Sequence, residues 1–544
     1  MSKIKIFGLG GLSESGKNTY VVTIDQDIYI FDCGLKYANE SLYGIDYIVP
    51  DFSFLVKYKN NIKGLFLTHA HYENMGATID LVRAIPNLKV YATKFTKFIL
   101  EQDGLNPNNI IEITPHKKIN FDNTSIYPIS VSHSTPDSVM YVLNTEDGAI
   151  CYMGDFIIDP TMMGAYDMDL GKIAYVGKQG VLALLSESSF SEHVGHTSPN
   201  HRLTSFFKYS ISHAKGRAIF TVLPTHLYTL QDIFNGAENS HRKIVLMGKQ
   251  LQNIVNFSLK ENYLHIQEGL LGDLSNIEDQ DSILILADNR SNPYANLSKI
   301  LSGYDKFIKL RDNDTIIFAE PRYDATERLL VKLENDLAVH GCNIVSIPKN
   351  KQILHHASQE DLMLMIKLLN PKYYVPVKGE YRYMVNNANL AIKLGMSEDN
   401  ILLKQNGEVI NIENGNVITK EEKIKVDDVL IDGTSNEDVG DLVIKDRQML
   451  SENGIVLISA TISKQEHVLL VGPEVTTRGF IYVKDSQEMI KEIKKISEGV
   501  VLRNISDNYV DYNKIKTEIR DELGDYLFQE TECKPMIIAV IQEV

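Results

Sequence analysis

The chain lacks long apolar runs and paired cysteines, and each absence excludes a class of protein. No stretch approaches the ~20 apolar residues that a membrane-spanning helix needs, and residues 1–10 lack the apolar core of a signal peptide. The cysteines, Cys33, Cys151, Cys342 and Cys533, form no CxxC pair, so we expect buried thiols rather than disulfides. The sequence therefore predicts a cytoplasmic protein that has no contact with a membrane.

Positive charge is also scarce, because 55 Lys and Arg stand against 71 Asp and Glu, for a formal net charge of −16. This balance excludes a protein whose whole surface attracts nucleic acid by its charge. It does not exclude a local basic channel. Trp is absent, which excludes little beside 27 Tyr and 19 Phe. A composition of 44% hydrophobic and 23% charged residues is typical of a globular protein, and 544 residues suffice for about two to four domains.

The hydrophobic pattern changes along the chain. Residues 1–160 contain short strand-like runs with few helices, which indicates two sheets with helices outside them. Strands and helices alternate over residues 199–350, which predicts an inserted α/β domain with a largely parallel sheet. Residues 412–446 are polar and rich in Gly and Asp, which indicates a connector, and residues 455–544 indicate a small α/β domain.

One segment carries the spacing of a metal site. His69 and His71 stand two residues apart at the end of a predicted strand, so their side chains share a face. His133 and Asp155 each follow another predicted strand. Three imidazoles and one carboxylate suit zinc or manganese, and they do not choose sharply between the two.

These residues resemble the metallo-β-lactamase superfamily, whose nucleases carry H-x-H-x-D-H, then a lone His and a lone Asp. Residues 31–34 are similar to the structural Asp motif of that superfamily. The chain is most similar to the ribonuclease J family, β-CASP exo- and endoribonucleases of bacteria, and within it to the second type with a degenerate site. The resembling segments span nearly the whole chain: residues 44–51, 131–138, 357–362, 379–382 and 477–483.

The resemblance implies an α/β architecture: a metallo-β-lactamase αββα sandwich, an inserted β-CASP α/β domain and a small C-terminal α/β domain. We assign these boundaries: the metallo-β-lactamase domain to 1–198 and 351–411, the β-CASP domain to 199–350, a linker to 412–450 and a C-terminal oligomerisation domain to 451–544.

The second-metal positions depart from the family. Active members have Asp and His where this chain has Glu73 and Asn74, and a His where it has Lys378. Glu is one methylene longer than Asp, Asn offers a weak neutral oxygen, and a protonated lysine has no lone pair for a metal. We therefore expect at most one zinc or manganese ion per chain, or none. By resemblance, Glu73, Asp155 and His356 are the catalytic positions, with vestigial roles.

The loops that handle RNA in the family are also altered. The positions that the resemblance assigns to substrate binding are Thr225, His226, Leu354, His355, His356, Ala357 and Ser358. His355 replaces a glycine of the family's phosphate-binding loop, and residues 288–293 lack the two glycines of another loop. Glycine lets backbone amides approach phosphate closely, so we expect weaker phosphate contacts. Residues 186–190 keep a carboxylate, Glu187, of a third family segment.

Two further patterns are interpreted as carrying no chemistry. Residues 11–18 nearly match the phosphate-binding G-x4-G-K-[ST] loop, but a strand rather than a helix is predicted to follow, and Asn18 replaces the hydroxyl. His193, His196 and His201 are spaced like metal ligands, but none falls at a ligand position of the family.

The resemblance and its departures predict a subunit of RNA maturation and mRNA decay. Its own activity would be weak or absent, and its partners would be RNA and an active ribonuclease J paralogue, in a homodimer or heterotetramer. Two alternatives stay open: a weak, single-metal 5′-to-3′ exoribonuclease or endoribonuclease, and a small-molecule metallohydrolase, against which the inserted and C-terminal domains argue.

Overall fold

The computed structural model describes residues 2–38, 42, 44–279, 281–287, 294–320, 327–348, 351, 355–432, 441–463, 465–481, 486–505 and 510–544. The chain forms two compact units, residues 1–39 with 46–436 and residues 40–45 with 437–544. The domain boundaries assigned from the sequence stay a prediction.

The strands of the first unit are β1 (Lys3–Gly10), β2 (Thr19–Ile24), β3 (Asp27–Phe31), β4 (Lys36–Tyr37), β5 (Tyr47–Pro50), β6 (Ile62–Phe66), β7 (Val90–Ala92), β8 (Ile110–Glu112), β9 (Ile119–Asn120), β10 (Ser125–Ser130), β11 (Val139–Thr145), β12 (Gly148–Tyr152), β13 (Val181–Glu187), β14 (Ala218–Val222), β15 (Ile244–Met247), β16 (Ile283–Ala287), β17 (Thr315–Ala319), β18 (Asn343–Ser346), β19 (Tyr373–Val377), β20 (Ile410–Glu413), β21 (Asn416–Val417) and β22 (Asp428–Ile431).

Its helices are α1 (Ser53–Lys57), α2 (Tyr72–Met75), α3 (Thr78–Ala84), α4 (Lys94–Gln102), α5 (Leu170–Gln179), α6 (Thr204–His213), α7 (Leu227–Ala237), α8 (Lys249–Lys260), α9 (Ala295–Leu301), α10 (Glu327–Val339), α11 (Gln359–Leu369) and α12 (Tyr381–Lys393).

Two sheets pack face to face in the first unit. Their strand orders are β21-β20-β1-β2-β3-β6-β7-β8 and β19-β13-β12-β11-β10-β9. Phe31 and Phe66 of the first sheet share a buried cluster with Tyr141 of the second, and each such burial stabilises the fold by about 1.5–3 kcal/mol. Helices α5 and α11 cover the outer face of the second sheet through a cluster that includes Ile173 and Leu362. The predicted αββα sandwich is confirmed.

The chain leaves this sandwich after β13 and re-enters it at β19. Between them lies a five-stranded parallel sheet in the order β15-β16-β14-β17-β18, which confirms the predicted insertion. Arg217 and Asp314, both fully buried, pair beside β14 and β17 at 2.9 and 2.6 Å. The arginine also donates to the carbonyls of Ile277 and Lys309 at 3.1 and 2.7 Å.

Part of the segment that the sequence assigns to a linker is folded into the first unit. Strand β20 pairs with β1, and β22 pairs with β5. Residues 412–431 are polar, and their partner strands are far away in the sequence. The local sequence pattern therefore does not predict these pairings. The structure thus describes paired strands within residues 412–431, and the boundaries of the linker stay a prediction.

The second unit contains α13 (Asp441–Asn453), β23 (Ile455–Ser463), β24 (Val468–Arg478), α14 (Gln487–Ile505), α15 (Tyr512–Thr531) and β25 (Met536–Glu543). Its sheet has the order β24-β23-β25, and α14 and α15 pack on one face through a common apolar cluster. The small C-terminal α/β domain is thereby confirmed. Among the described residues, no helix is both long and apolar enough to span a bilayer.

Candidate metal centre

The strand ends of the two sheets bring the candidate ligands together. Strands β10 and β12 both run antiparallel to β11, and β12, β13 and β19 are mutually parallel, so the carboxyl ends of all four meet at one edge. His133, Asp155, Glu187 and Lys378 lie at or just after these ends. From the other sheet, β6 ends directly before the segment that carries His69 and His71.

Two glycines allow the strand ends to approach this closely. A Cβ atom on Gly34 would lie 1.6 Å from the carbonyl oxygen of Glu73, so residue 34 cannot carry a side chain. Gly154 has φ +62°, and a Cβ there would lie 2.9 Å from Thr68 Cγ2. The backbone that leads to Asp155 is therefore fixed by its contact with the segment before His69.

His69, His71, His133 and Asp155 are all buried, and one potential ligand atom from each lies within 4.8 Å of the others. The outer nitrogen of each imidazole is held by a hydrogen bond: His69 Nδ1 with Thr68 Oγ1 (2.9 Å), His71 Nε2 with Ser134 Oγ (3.1 Å) and His133 Nδ1 donating to the carbonyl of His355 (3.0 Å). Such outer contacts fix the ring and its tautomer in metal sites.

The inner atoms of this group face one another. His71 Nδ1 and His133 Nε2 lie 3.1 Å apart, and His69 Nε2 and Asp155 Oδ1 are buried with no hydrogen-bond partner among the described residues. Three nitrogens and a carboxylate with orphaned inner atoms fit one ion of the zinc or manganese class. The candidate first-metal residues are therefore together in the fold.

Lys378 contacts Asp155 and lies beside both of the other altered positions, Glu73 and Asn74. Its ammonium donates to Asp155 Oδ2 and, at 3.4 Å, to Asn74 Oδ1, and it lies 3.7 Å from Glu73 Oε2. The side chain is 5% exposed. Burial alone would lower the pKa of Lys378, but Asp155 and Glu73 outweigh it and raise the pKa. The ammonium is therefore a fixed buried charge, with no lone pair to offer.

Asn74 is locked between this ammonium and a buried carboxylate. Its side-chain amide donates to Asp32 Oδ2 at 2.7 Å, and the Tyr152 hydroxyl donates to the same oxygen at 2.7 Å. The backbone N–H of Thr68 donates to the other carboxylate oxygen at 2.8 Å. Burial raises the pKa of Asp32, and its hydrogen-bond donors oppose that rise. The residues at the second-metal positions thus bind one another.

A second group, Asp155, Glu187 and His356, shares Asp155 with the histidine set. His356 Nδ1 lies 2.6 Å from Glu187 Oε2 and 3.9 Å from Asp155 Oδ2. Glu187 Oε1 accepts hydrogen bonds from the backbone of Phe156 and Ala357 at 3.1 and 3.2 Å. Burial would lower the pKa of His356, but Glu187 outweighs it and raises the pKa. From the sequence, Glu187 is only a carboxylate that a family segment keeps, and the structure places it at the end of β13, beside His356.

Two of the candidate substrate-binding residues precede α7. The ring of His226 stacks on His71 with centroids 4.2 Å apart and planes 21° apart. Burial and the neighbouring His356 lower the pKa of His226 to about 3, so this ring is neutral. Thr225 is fully buried, and its hydroxyl has no hydrogen-bond partner among the described residues.

The remaining candidates are occupied by the protein itself. His355 packs its ring against His201 with centroids 5.0 Å apart. Ala357 and Ser358 are fully buried, and Ser358 Oγ shares a hydrogen bond of 2.9 Å with Thr197 Oγ1. The side chain of Ser358 therefore faces the protein rather than an open cleft. Leu354 and residues 288–293 lie outside the described residues.

The other two patterns are also placed by the structure. His196 pairs with Asp361 at 2.6 Å and His201 lies 3.2 Å from Asp159, and no group that could hold a metal combines His193, His196 and His201 within the described part of the chain. Strand β2 begins at Thr19, so no helix follows residues 11–18.

Sequence comparisons identify the family. The ribonuclease J C-terminal domain matches residues 442–544, the ribonuclease J β-CASP domain 215–335, and the Zn-dependent metallo-hydrolase RNA specificity domain 349–402. Ribonuclease J2 of Bacillus subtilis (strain 168) is 33% identical, over 99% of both chains. Ribonuclease J 2 of Staphylococcus aureus (strain NCTC 8325 / PS 47) is 30% identical, over 99% of this chain and 98% of its own.

A solved structure of a protein of unknown function from Enterococcus faecalis V583 shares the fold, with a TM-score of 0.51 and 16% identity, over 76% of this chain and 100% of that chain. The metallo-hydrolase match and the buried His and Asp groups together support a metal cofactor. The chain belongs to the ribonuclease J family of RNA-processing nucleases and is similar over its full length to the type 2 proteins of that family.

Proposed function

We propose that this protein acts in the cytoplasm as a weakly active or inactive ribonuclease J subunit in RNA maturation and mRNA decay, together with an active paralogue. The observation that carries the proposal is the contact of the Lys378 ammonium with Asp155 and Asn74. In a two-metal hydrolase, the residues at these positions must offer lone pairs to the second ion. In this chain, Lys378 places a cation there instead.

The remaining groups support a reduced form of the family chemistry. When bound, one zinc or manganese ion held by His69, His71, His133 and Asp155 would supply Lewis-acid polarisation of a phosphate oxygen. His356, oriented by Glu187, is the group that we assign to contact with the phosphate. Lys378 supplies positive charge but cannot hold a hydroxide as a metal does. We assign Glu73, Asn74 and Lys378 to a vestigial second-metal site.

Metal content tests this assignment directly. We expect at most one transition-metal ion per chain after dialysis, because His69, His71, His133 and Asp155 form one complete ligand set and Lys378 obstructs the other. Elemental analysis of the purified protein measures the ratio. His71→Ala should reduce it towards zero, whereas His213→Ala, at an exposed histidine, should leave it unchanged. Two tightly held ions per chain would contradict the proposal.

A second candidate function is that of a weak, single-metal exoribonuclease or endoribonuclease in its own right. The observation that favours it is the intact contact between Glu187 and His356 beside an intact histidine set. Robust RNA cleavage by the wild type that His71→Ala abolishes and His213→Ala does not would establish this function. It would replace the proposed role as a partner.

Assembly with other chains is the second part of the proposal, as a homodimer or as a heterotetramer with the active paralogue. Apolar side chains of the second unit's sheet, including Val471, Ile538 and Val540, are exposed on β24 and β25. Exposed apolar faces of this kind favour association. We expect truncation near Gln448 to lower the oligomeric state measured by light scattering, and an unchanged mass would contradict the assignment.

Because truncation removes a whole unit, a milder variant provides the control for assembly. Ile538→Lys with Val540→Lys should lower the mass in the same way, because two charges on the exposed strand oppose burial. Tyr209→Lys, at an exposed aromatic on α6, is the matched control and should leave the mass unchanged.

The experiment that tests the whole proposal mixes the pure protein with its active paralogue. RNA decay and molecular mass are measured for each protein alone and for the mixture. We expect little decay by this protein alone, a heavier species in the mixture, and a changed rate or product pattern. No heavier species and no change in decay would contradict the role as a partner.

A further inference from the structure

A cavity lies at the amino ends of β6 and β7, away from the metal centre. It is lined by residues at the start of β6, including Lys63, by the segment that leads into β7, including Lys89, and by Phe121 after β9. The metal ligands follow the opposite, carboxyl end of β6. The cavity has a volume of about 330 Å³, which lies within the range of small-molecule sites, about 300–1,000 Å³.

The rim of this cavity is basic in an acidic protein. Lys59 and Lys89 are exposed and form no ion pair with any residue that the structure describes. Lys63 is neutralised in part, since its Nζ lies 3.1 Å from Asp27 and 3.7 Å from Asp122. Two uncompensated ammonium groups at one cavity favour an anionic ligand.

The wall of the cavity is aromatic and rigid. The Tyr91 ring stacks on Phe66 with centroids 4.6 Å apart and planes 10° apart, and a Cβ on Gly64 would lie 2.5 Å from Tyr91 Cε2. The Tyr91 ring is therefore held on two sides. Phe121 is partly exposed and meets Tyr91 edge-on, with centroids 6.3 Å apart.

Two carboxamides also line the cavity. Asn60 and Asn87 are exposed beside the lysines, and Asn side chains can pair with the donor and acceptor groups on the edge of a base. An inorganic anion or an acidic peptide would bind the ammonium groups, but its binding would not require the aromatic wall. Aromatic rings bind bases of any sequence, and lysines bind phosphate as point charges.

We propose that this cavity binds one nucleoside phosphate, with the base against the partly exposed ring of Phe121, which Tyr91 supports edge-on, and the phosphate at Lys59 and Lys89. The nucleotide is either free or the terminal residue of an RNA. This inference does not rest on the proposed function, because binding at this end of the strands requires neither a metal nor hydrolysis.

The absence of Trp from the chain provides a clean reporter. In the full-length variant Phe121→Trp, the single tryptophan lies in the cavity wall. We expect adenosine monophosphate to change its fluorescence in a saturable way. Lys59→Glu with Lys89→Glu should weaken the binding at least about tenfold, because both phosphate contacts become repulsive. The matched control, Lys208→Glu with Lys215→Glu, changes the same charge on the exposed surface of and after α6 and should leave the binding unchanged.

Equilibrium dialysis of labelled adenosine monophosphate against the protein with Phe121 intact repeats the comparison, so a reporter that fails to fold does not decide the matter. A short 5′-phosphorylated RNA that binds the cavity while the mononucleotide does not would identify the RNA terminus as the source. Inorganic phosphate that competes as well as the nucleotide would overturn recognition of a base. No saturable binding, or equal loss in both lysine pairs, would overturn the site.

Discussion

Purified alone, the protein is expected to degrade a 5′-monophosphorylated RNA about a thousandfold or more slowly than a family member with an intact H-x-H-x-D-H motif. The second ion of a two-metal centre contributes several kcal/mol of stabilisation to the developing charge, and a thousandfold rate corresponds to about 4 kcal/mol. The buried ammonium of Lys378 keeps its charge but provides no site for a hydroxide. The measurement is a single-turnover rate on the same RNA for both proteins.

Restoring the ligands separates the metal site from the rest of the cleft. Glu73→Asp, Asn74→His and Lys378→His together should raise metal occupancy more than activity, because the altered substrate loops remain. Asn74 is fully buried and bound to Asp32, so the new imidazole must also displace that hydrogen bond. Recovery of RNA cleavage to the rates of active family members from these three changes would show that the altered substrate loops do not limit activity. Lys208→His, at an exposed lysine, is the control and should change neither quantity.

The second large effect concerns the inserted domain. Arg217→Met is expected to lower the free energy of unfolding of the first unit by about 3–5 kcal/mol, because the buried carboxylate of Asp314 loses its charged partner and keeps the backbone N–H of Arg311 as a donor. Both side chains are fully buried, and the arginine also satisfies two backbone carbonyls. Chemical denaturation measures the loss of unfolding free energy, and hydrogen exchange of the amides in β14 and β17 locates it.

Removing both charges tests the cause of that loss. Arg217→Met with Asp314→Leu should recover part of the stability, because no charge is then left unpaired, although two carbonyls still lose their donor. Lys208→Met is the exposed control and should cost little. A loss below about 1 kcal/mol for Arg217→Met alone would contradict the account.

The sequence predicts those parts of the fold and site that have a local signal. His69 and His71 stand two apart after an apolar strand, and that spacing alone places them on one face. Lys378 and Asn74 were recognised as altered positions only through the family resemblance. Their contacts with Asp155 and Asp32 join distant parts of the chain. No pattern within one segment can show such contacts.

Other features escaped prediction for the same physical reason. The stacking of His226 on His71 depends on how the inserted domain packs on the sandwich, which sequence periodicity does not report. The pairing of β22 with β5 escaped because residues 412–431 are polar and their hydrogen-bond partners are remote. The contact of Glu187 with His356 joins distant segments in the same way, although the carboxylate itself is visible in the sequence.

The return of the chain to its own beginning has a consequence for biosynthesis. Strand β1 receives its partner β20, and β13 receives β19, only after the ribosome has completed the inserted domain. The inserted parallel sheet is complete at β18 and needs neither strand, so it can fold first. Domains emerge and fold in the order of synthesis, and distant pairings form late. Asp155 is therefore translated long before the ammonium that neutralises it.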